Sequence, residues 1–344
     1  DKMHRCYEKC GTCRFKNICS GCTMCNAPLI CQNDCKSCPY MCIDRPGAAL
    51  YFETIGNGIN LLPSRKHEEL PHYVPTLPSK LNVQYDASDI PFVAVHGSKF
   101  MSADGKRIAP RFTKHGLRKA LGLATKTNAI LHFYVHDRTI EGFWQQRKNI
   151  YPVLKEMGFN FVISPNFSVY EDSPRLEHLT NMRRSVIVYN ELVENGIDAV
   201  PDVSWYELKD LDRWEKEINL SGVKTISFSF QAVGGKRFSN AWKGYLTGLK
   251  YLCERTTEDM CIIIVGIAAL SRAKEILAII GKRKVIVINT FAFMRAKSGR
   301  DIYGQKHEDM KLDELFVCNV KALEKEYREL CQQFNFMEGG RNYA

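Results

Sequence analysis

Residues 224–231 read KTISFSFQ. Ser227, Ser229 and Gln231 fall on one side of this run, and Phe228 and Phe230 on the other. That period of two is the signature of a β-strand. Six further runs rich in β-branched and aromatic residues accompany it: IPFVAVHG (90–97), AILHFYVHD (129–137), FNFVISPN (159–166), DAVPDVSW (198–205), DMCIIIVGI (259–267) and KVIVINTF (284–291). Helix-like segments separate them. SPRLEHLTNMRRSVIVYNELVENG (173–196) offers Ser173 as a cap, Pro174 in the first turn and Gly196 at the end. Gly158, Gly196, Gly222 and Gly281 each precede a strand, where a helix end favours a left-handed residue.

Seven β–α repeats of this kind predict a parallel α/β fold, best matched by a TIM-type (β/α) barrel. LYFETI (50–55) is a candidate eighth strand; without it the barrel is incomplete. A doubly wound open sheet is the alternative. The expected division is a cysteine-rich module over 1–45, a Pro- and Gly-rich connector over 46–89, the barrel over 90–310, and a C-terminal helix and tail over 311–344. That last helix carries Leu312, Leu315, Phe316, Val320 and Leu323 on one face.

Strand parity turns this fold into a chemical expectation. Phenylalanines suit the interface with the helices, so the serines and Gln231 of KTISFSFQ point into the barrel. By the same alternation His132, Tyr134 and His136 share one face, Asp202 aligns with Ser204, and Ser164 aligns with Asn166. Barrel interiors are ordinarily filled by branched apolar residues. Polar groups there are costly unless they bond to each other or to a ligand. The expected catalytic set is Asp202 as nucleophile or general base, Asn166, Ser229 and Gln231 as substrate readers, and His136 with Asp137 as proton carriers.

The loops after the strands form the face where barrel active sites lie. Three of them are basic and supply Lys106 and Arg107, then Lys236 and Arg237, then Arg295, Lys297 and Arg300. Aromatic residues are interleaved with these cations, a combination that suits phosphates and stacked bases. VGGKRF (233–238) lacks the full pattern of a phosphate-binding P-loop.

Ten of the fourteen cysteines crowd the start of the chain: Cys6, Cys10, Cys13, Cys19, Cys22, Cys25, Cys31, Cys35, Cys38 and Cys42. Gaps of two or three residues let thiolates converge on one centre. Cys19, Cys22 and Cys25 have ferredoxin-like spacing, and Pro39 follows Cys38 as in ferredoxin runs. The expectation is one or two 4Fe–4S clusters, with structural zinc and a disulfide knot as alternatives. Cys6–Cys10–Cys13 and Cys31–Cys35–Cys38 also repeat the C-x3-C-x2-C spacing of radical-SAM enzymes, which makes SAM a further possible cofactor. In those enzymes the motif follows the first barrel strand, and no such strand is evident ahead of either copy.

The formal net charge is +10 and 45% of the 344 residues are hydrophobic, as in an ordinary globular protein. The longest apolar run, CIIIVGIAAL (261–270), is too short to cross a bilayer. Abundant thiols without an export signal favour a reducing cytoplasm, and the basic balance favours a polyanionic partner.

ISPNFSVYEDSPRLEHLTNMRRS (163–185), with AVPDVSW (199–205) and SFSFQ (227–231), resembles a family of uncharacterised phage and mobile-element proteins with a cysteine cluster and a barrel-like α/β domain. That resemblance carries no settled activity and implies work on nucleic acid. The expected function is an iron–sulfur protein that binds DNA or RNA and modifies or processes a nucleotide at the basic mouth of a barrel. A radical-SAM enzyme and a non-catalytic nucleic-acid-binding protein are the alternatives.

Overall fold

A computed structural model describes residues 55–339, apart from residue 57, residues 171–174 and residues 234–239. Eight parallel strands form one sheet: β1 (Tyr73–Leu77), β2 (Phe92–His96), β3 (Asn128–His132), β4 (Phe161–Ile163), β5 (Ala199–Val200), β6 (Thr225–Ser229), β7 (Cys261–Val265) and β8 (Lys284–Asn289). Their order is β5-β4-β3-β2-β1-β8-β7-β6. The two outer strands meet at a bridge between Asp202 and Ser227. There the Val203 N–H donates to the Ser227 carbonyl and the Ser227 N–H to the Pro201 carbonyl, each at 2.9 Å. The result is a nearly closed TIM-type barrel with a narrow seam.

The strand that completes the barrel is YVPTL, Tyr73–Leu77, inside the stretch expected to be a connector. YVPTL therefore takes the place that the sequence expectation gave to LYFETI; residues 50–54 of LYFETI lie outside the described residues. YVPTL evades a pattern search because Pro75 breaks the propensity and five buried residues leave no polar alternation. The barrel therefore starts at Tyr73 rather than at residue 90.

Helices α1 (Gly97–Phe100), α2 (Pro110–Leu121), α3 (Asp137–Glu156), α4 (Arg175–Glu194), α5 (Leu208–Ser221), α6 (Asn240–Cys253), α7 (Leu270–Ile280), α8 (Phe291–Lys297) and α9 (Leu312–Gly339) connect and follow the strands. Gly158, Gly196, Gly222 and Gly281 all have φ between 68° and 77°. Their placement is what the sequence expected. Along α9, Leu315, Phe316, Val320 and Leu323 are buried, whereas Leu312 stays 38% exposed.

Two apolar layers separate cleanly. Val93, Val95, Leu131, Val162, Ile226, Phe228, Phe230, Ile262 and Ile264 pack outward against the helices. Phe92, Ala94, Ile130, Tyr134, Phe161, Ile163, Val200, Ile263, Ile286 and Ile288 pack inside the barrel. The parity read from KTISFSFQ and AILHFYVHD is thus observed. On β4 it is reversed: Ile163 points inward, and Ser164 instead accepts the backbone N–H of Asp202 at 3.0 Å. Pro165 has no N–H to extend the ladder, so the strand ends at Ile163 and Asn166 belongs to the following loop.

Candidate active site at the barrel mouth

The C-terminal ends of β2 to β6 surround a cavity of about 450 Å³. Its walls include His96, Tyr134, His136, Asn166, Tyr170, Ser204, Trp205, Ser229, Gln231 and Tyr245. Of the expected catalytic residues, His136, Asn166, Ser229 and Gln231 line it directly. Asp202 lies beneath, fully buried at the barrel seam.

Tyr134 links the two levels. It lines the cavity, and its hydroxyl donates to Oδ1 of Asp202 at 2.5 Å. The Ser227 hydroxyl is also 2.5 Å from the Tyr134 oxygen. Oδ2 of Asp202 has no hydrogen-bond partner. Burial disfavours the ionised carboxylate and pushes the Asp202 pKa up to about 7, although the Tyr134 and Ser227 hydroxyls pull against the shift. Burial and the nearby Asp202 carboxylate drive the Tyr134 phenol well above its ordinary value.

One layer deeper, His132 is 3% exposed and neither of its ring nitrogens has a partner. Burial, with His96 beside it, lowers its pKa to about 3, so the ring is neutral. The His96 ring meets it edge-on with centroids 5.0 Å apart. Ser204 is a third such group: it is 5% exposed, its hydroxyl has no partner, and it lines the cavity. Three buried polar side chains, one on β3 and two on the run after β5, thus keep uncommitted polar atoms in or beneath one cavity, which is the pattern of a ligand site.

Asp137, expected as a proton carrier, is engaged by the loop after β4. Its two carboxylate oxygens accept from Ser168 (2.6 Å) and from the Tyr170 hydroxyl. This carboxylate at the start of α3 straps down the loop after β4, and that loop places Asn166, Ser168 and Tyr170 in the cavity wall. On the far wall, Trp205 lies against Gly248 of α6, with its ring centroid 5.3 Å from that of Tyr245. Gly248 leaves the room: a Cβ there would sit 2.4 Å from Trp205 Cζ2.

Among the described residues, none of the expected cations lines the cavity. Lys106 and Arg107 are exposed at the tip of a turn after β2. Gly105 anchors that turn, at φ 69°, against the Thr139 carbonyl. Lys297 is exposed at the end of α8. Arg295 donates to the Asp301 carbonyl and Arg300 to the Gly304 carbonyl, so both brace their own loop. Lys236 and Arg237 lie outside the described residues.

All ten cysteines of the N-terminal run also lie outside the described residues. Among the described residues no group of three or more His, Cys, Asp or Glu side chains is arranged to hold a metal. The remaining cysteines, Cys253, Cys261, Cys318 and Cys331, stand apart as free thiols. No described helix is long and apolar enough to cross a membrane.

A family model described as a domain of unknown function, DUF4417, matches residues 105–281, just over half of the chain. The chain belongs to this family. The matched span carries every cavity-lining residue named above except His96, together with Asp202 and its partners. Gene 1 protein of Mycobacterium phage L5 is 23% identical over 139 residues, which cover 40% of this chain and 58% of that protein. The resemblance to an uncharacterised phage-associated family is therefore borne out. Sequence reasoning selected Asp202 and four cavity residues from strand parity, and the same parity contained Tyr134 and Ser204. Trp205 and Tyr245 gave no sequence signal, because their place in the wall depends on how α6 packs.

Proposed function

We propose that the chain is an iron–sulfur protein that binds nucleic acid and modifies or processes a nucleotide at the barrel mouth. One observation carries this: a cavity of about 450 Å³ with aromatic faces and amide and hydroxyl edges stands over a buried carboxyl with one uncommitted oxygen. Trp205, Tyr170 and Tyr245 offer stacking surfaces for a base. Asn166, Ser204, Ser229 and Gln231 offer donors and acceptors for its edge. The volume lies in the usual range for small-ligand sites, which run from about 300 to 1,000 Å³. Exchange or hydrolysis at the base–sugar bond suits a carboxyl that titrates near neutrality.

The exposed Lys106, Arg107 and Lys297 would meet backbone phosphate outside the cavity. The iron–sulfur assignment rests on cysteine spacing alone; a cluster there would supply structure or redox sensing. Radical-SAM chemistry fits less well. All ten cysteines precede β1, whereas that motif follows the first strand in the enzymes it resembles.

The test is binding of labelled single- and double-stranded DNA and RNA across a salt series, with nucleoside analysis of the incubated nucleic acid by mass spectrometry. Affinity should fall steeply with salt, and Lys106→Glu with Arg107→Glu and Lys297→Glu should weaken it and flatten the slope. Asp202→Asn should bind normally and leave the nucleosides unchanged. Absence of binding to all four polymers at low salt would sink the proposal.

A further inference from the structure

Asp202, the residue that sequence alone singles out as the reacting group, does not line the cavity; Tyr134 does. We propose that Tyr134 is the catalytic residue that meets the ligand, and that it relays a proton between the ligand and Asp202, which stays behind it as a positioning and charge-holding residue. This rests on the cavity being the nucleotide site proposed above.

The geometry allows one route. The phenol oxygen is held between Asp202 Oδ1 and Ser227 Oγ, both at 2.5 Å. Asp202 itself is fixed by the barrel seam, and its backbone N–H donates to Ser164 Oγ. A ligand N–H or O–H gives its proton to the phenol oxygen as the phenol passes its own proton to Oδ1. The ligand bond and the old phenol O–H bond break; a new phenol O–H and a carboxyl O–H form. The negative charge moves from Asp202 to the ligand, and Tyr134 is neutral before and after. The reverse sequence delivers a proton.

The electrostatics agree with this division of labour. Burial and the adjacent carboxylate make a phenolate at Tyr134 costly, so the ring carries protons without storing charge. Asp202 can store it because its two forms are nearly balanced at neutral pH. The titratable groups around the pair are His96 on β2, His132 on β3, His136 at the start of α3, Tyr170 after β4 and Tyr245 on α6. No lysine, arginine or carboxylate is among the cavity-lining residues described.

Two measurements on the full chain test the relay. Infrared titration should show a carboxylic-acid band that disappears with a midpoint near pH 7 and is missing in Asp202→Asn. Tyr134→Phe removes a hydrogen bond that favours the carboxylate, so it should move the midpoint upward; Ser227→Ala should move it the same way and serves if Tyr134→Phe folds poorly. Midpoints unchanged in both variants overturn the relay. In the second measurement adenosine, guanosine, cytidine and uridine are titrated against tryptophan fluorescence between pH 5 and 9. A nucleoside that binds should show a pH dependence with the infrared midpoint, lost in Tyr134→Phe while binding persists. Persistence of that pH dependence in Tyr134→Phe removes Tyr134 from the ligand contact. Absence of binding by every nucleoside counts against the nucleotide site, and the relay then stands or falls on the infrared result.

Discussion

Asp202 and Ser227 pair across the seam that nearly closes the barrel, and their side chains hold the Tyr134 hydroxyl between them. The weakest join in the sheet and the most polar part of its interior are one place. Ordinary neighbouring strands share a ladder; β5 and β6 share a bridge whose side chains bond inward instead of packing. A substitution at either residue therefore acts on stability and on site chemistry together, and pH separates the two effects.

Asp202 should make the protein less stable as pH rises. Its folded pKa is raised from 3.8 to about 7 by burial, so folding favours the protonated form. That contribution is complete below the unfolded value and is lost as pH climbs through about 7. Asp202→Asn cannot ionise. It should therefore melt higher than the wild type at pH 8, by at most about 4 kcal/mol in stability, and close to it at pH 4. Calorimetry at the two pH values decides; a wild-type advantage at pH 8 refutes the assignment.

His132 has the opposite sign. Its folded pKa is lowered to about 3, so the stability that comes from its neutral ring is present above its ordinary value near 6.5 and is lost as pH falls toward 3. With both nitrogens unpartnered, the ring contributes desolvation cost without hydrogen bonds. His132→Leu should be as stable as wild type or more so, by roughly 1–2 kcal/mol at pH 5, with a smaller gain at pH 7.5. Urea unfolding at both pH values measures it.

The wall built by Trp205 depends on Gly248. A Cβ there would lie 2.4 and 2.5 Å from the indole Cζ2 and Cη2 atoms, and a rigid ring cannot bend away as a flexible chain end can. Gly248→Ala should cost about 1–3 kcal/mol and shift tryptophan emission as the ring is displaced. Gly244→Ala, in the same helix with nothing within 4 Å, is the control and should be neutral or gain up to about 1 kcal/mol. Equal outcomes for the two would mean that Trp205 does not rest on Gly248.

Anaerobically prepared protein should contain iron and acid-labile sulfide, with the broad visible absorption of iron–sulfur charge transfer. The ten clustered cysteines at ferredoxin-like intervals motivate this expectation. Metal and sulfide analysis of the same preparation checks it. Stoichiometric zinc without sulfide would replace the clusters with thiolate zinc sites.

The sequence by itself determined the repeating β–α order, seven of the eight strands, the glycines that end helices and the inward face of KTISFSFQ and AILHFYVHD. These are local: alternation of period two and a left-handed turn are written in neighbouring residues. Asp202 was legible for the same reason, as a carboxyl on a strand face expected to be interior. Only the tertiary structure decided the rest. YVPTL became a strand because β2 and β8 pair with it on both sides, which no local pattern announces. Asp137 became a strap because Ser168 and Tyr170, more than thirty residues away, reach its oxygens. Arg295 and Arg300 turned into their own loop, where backbone carbonyls compete with any ligand for their donors. The near-neutral pKa of Asp202 was decided last of all, because desolvation depends on the strands and helices that enclose a group, and its own neighbours in the chain do not reveal them.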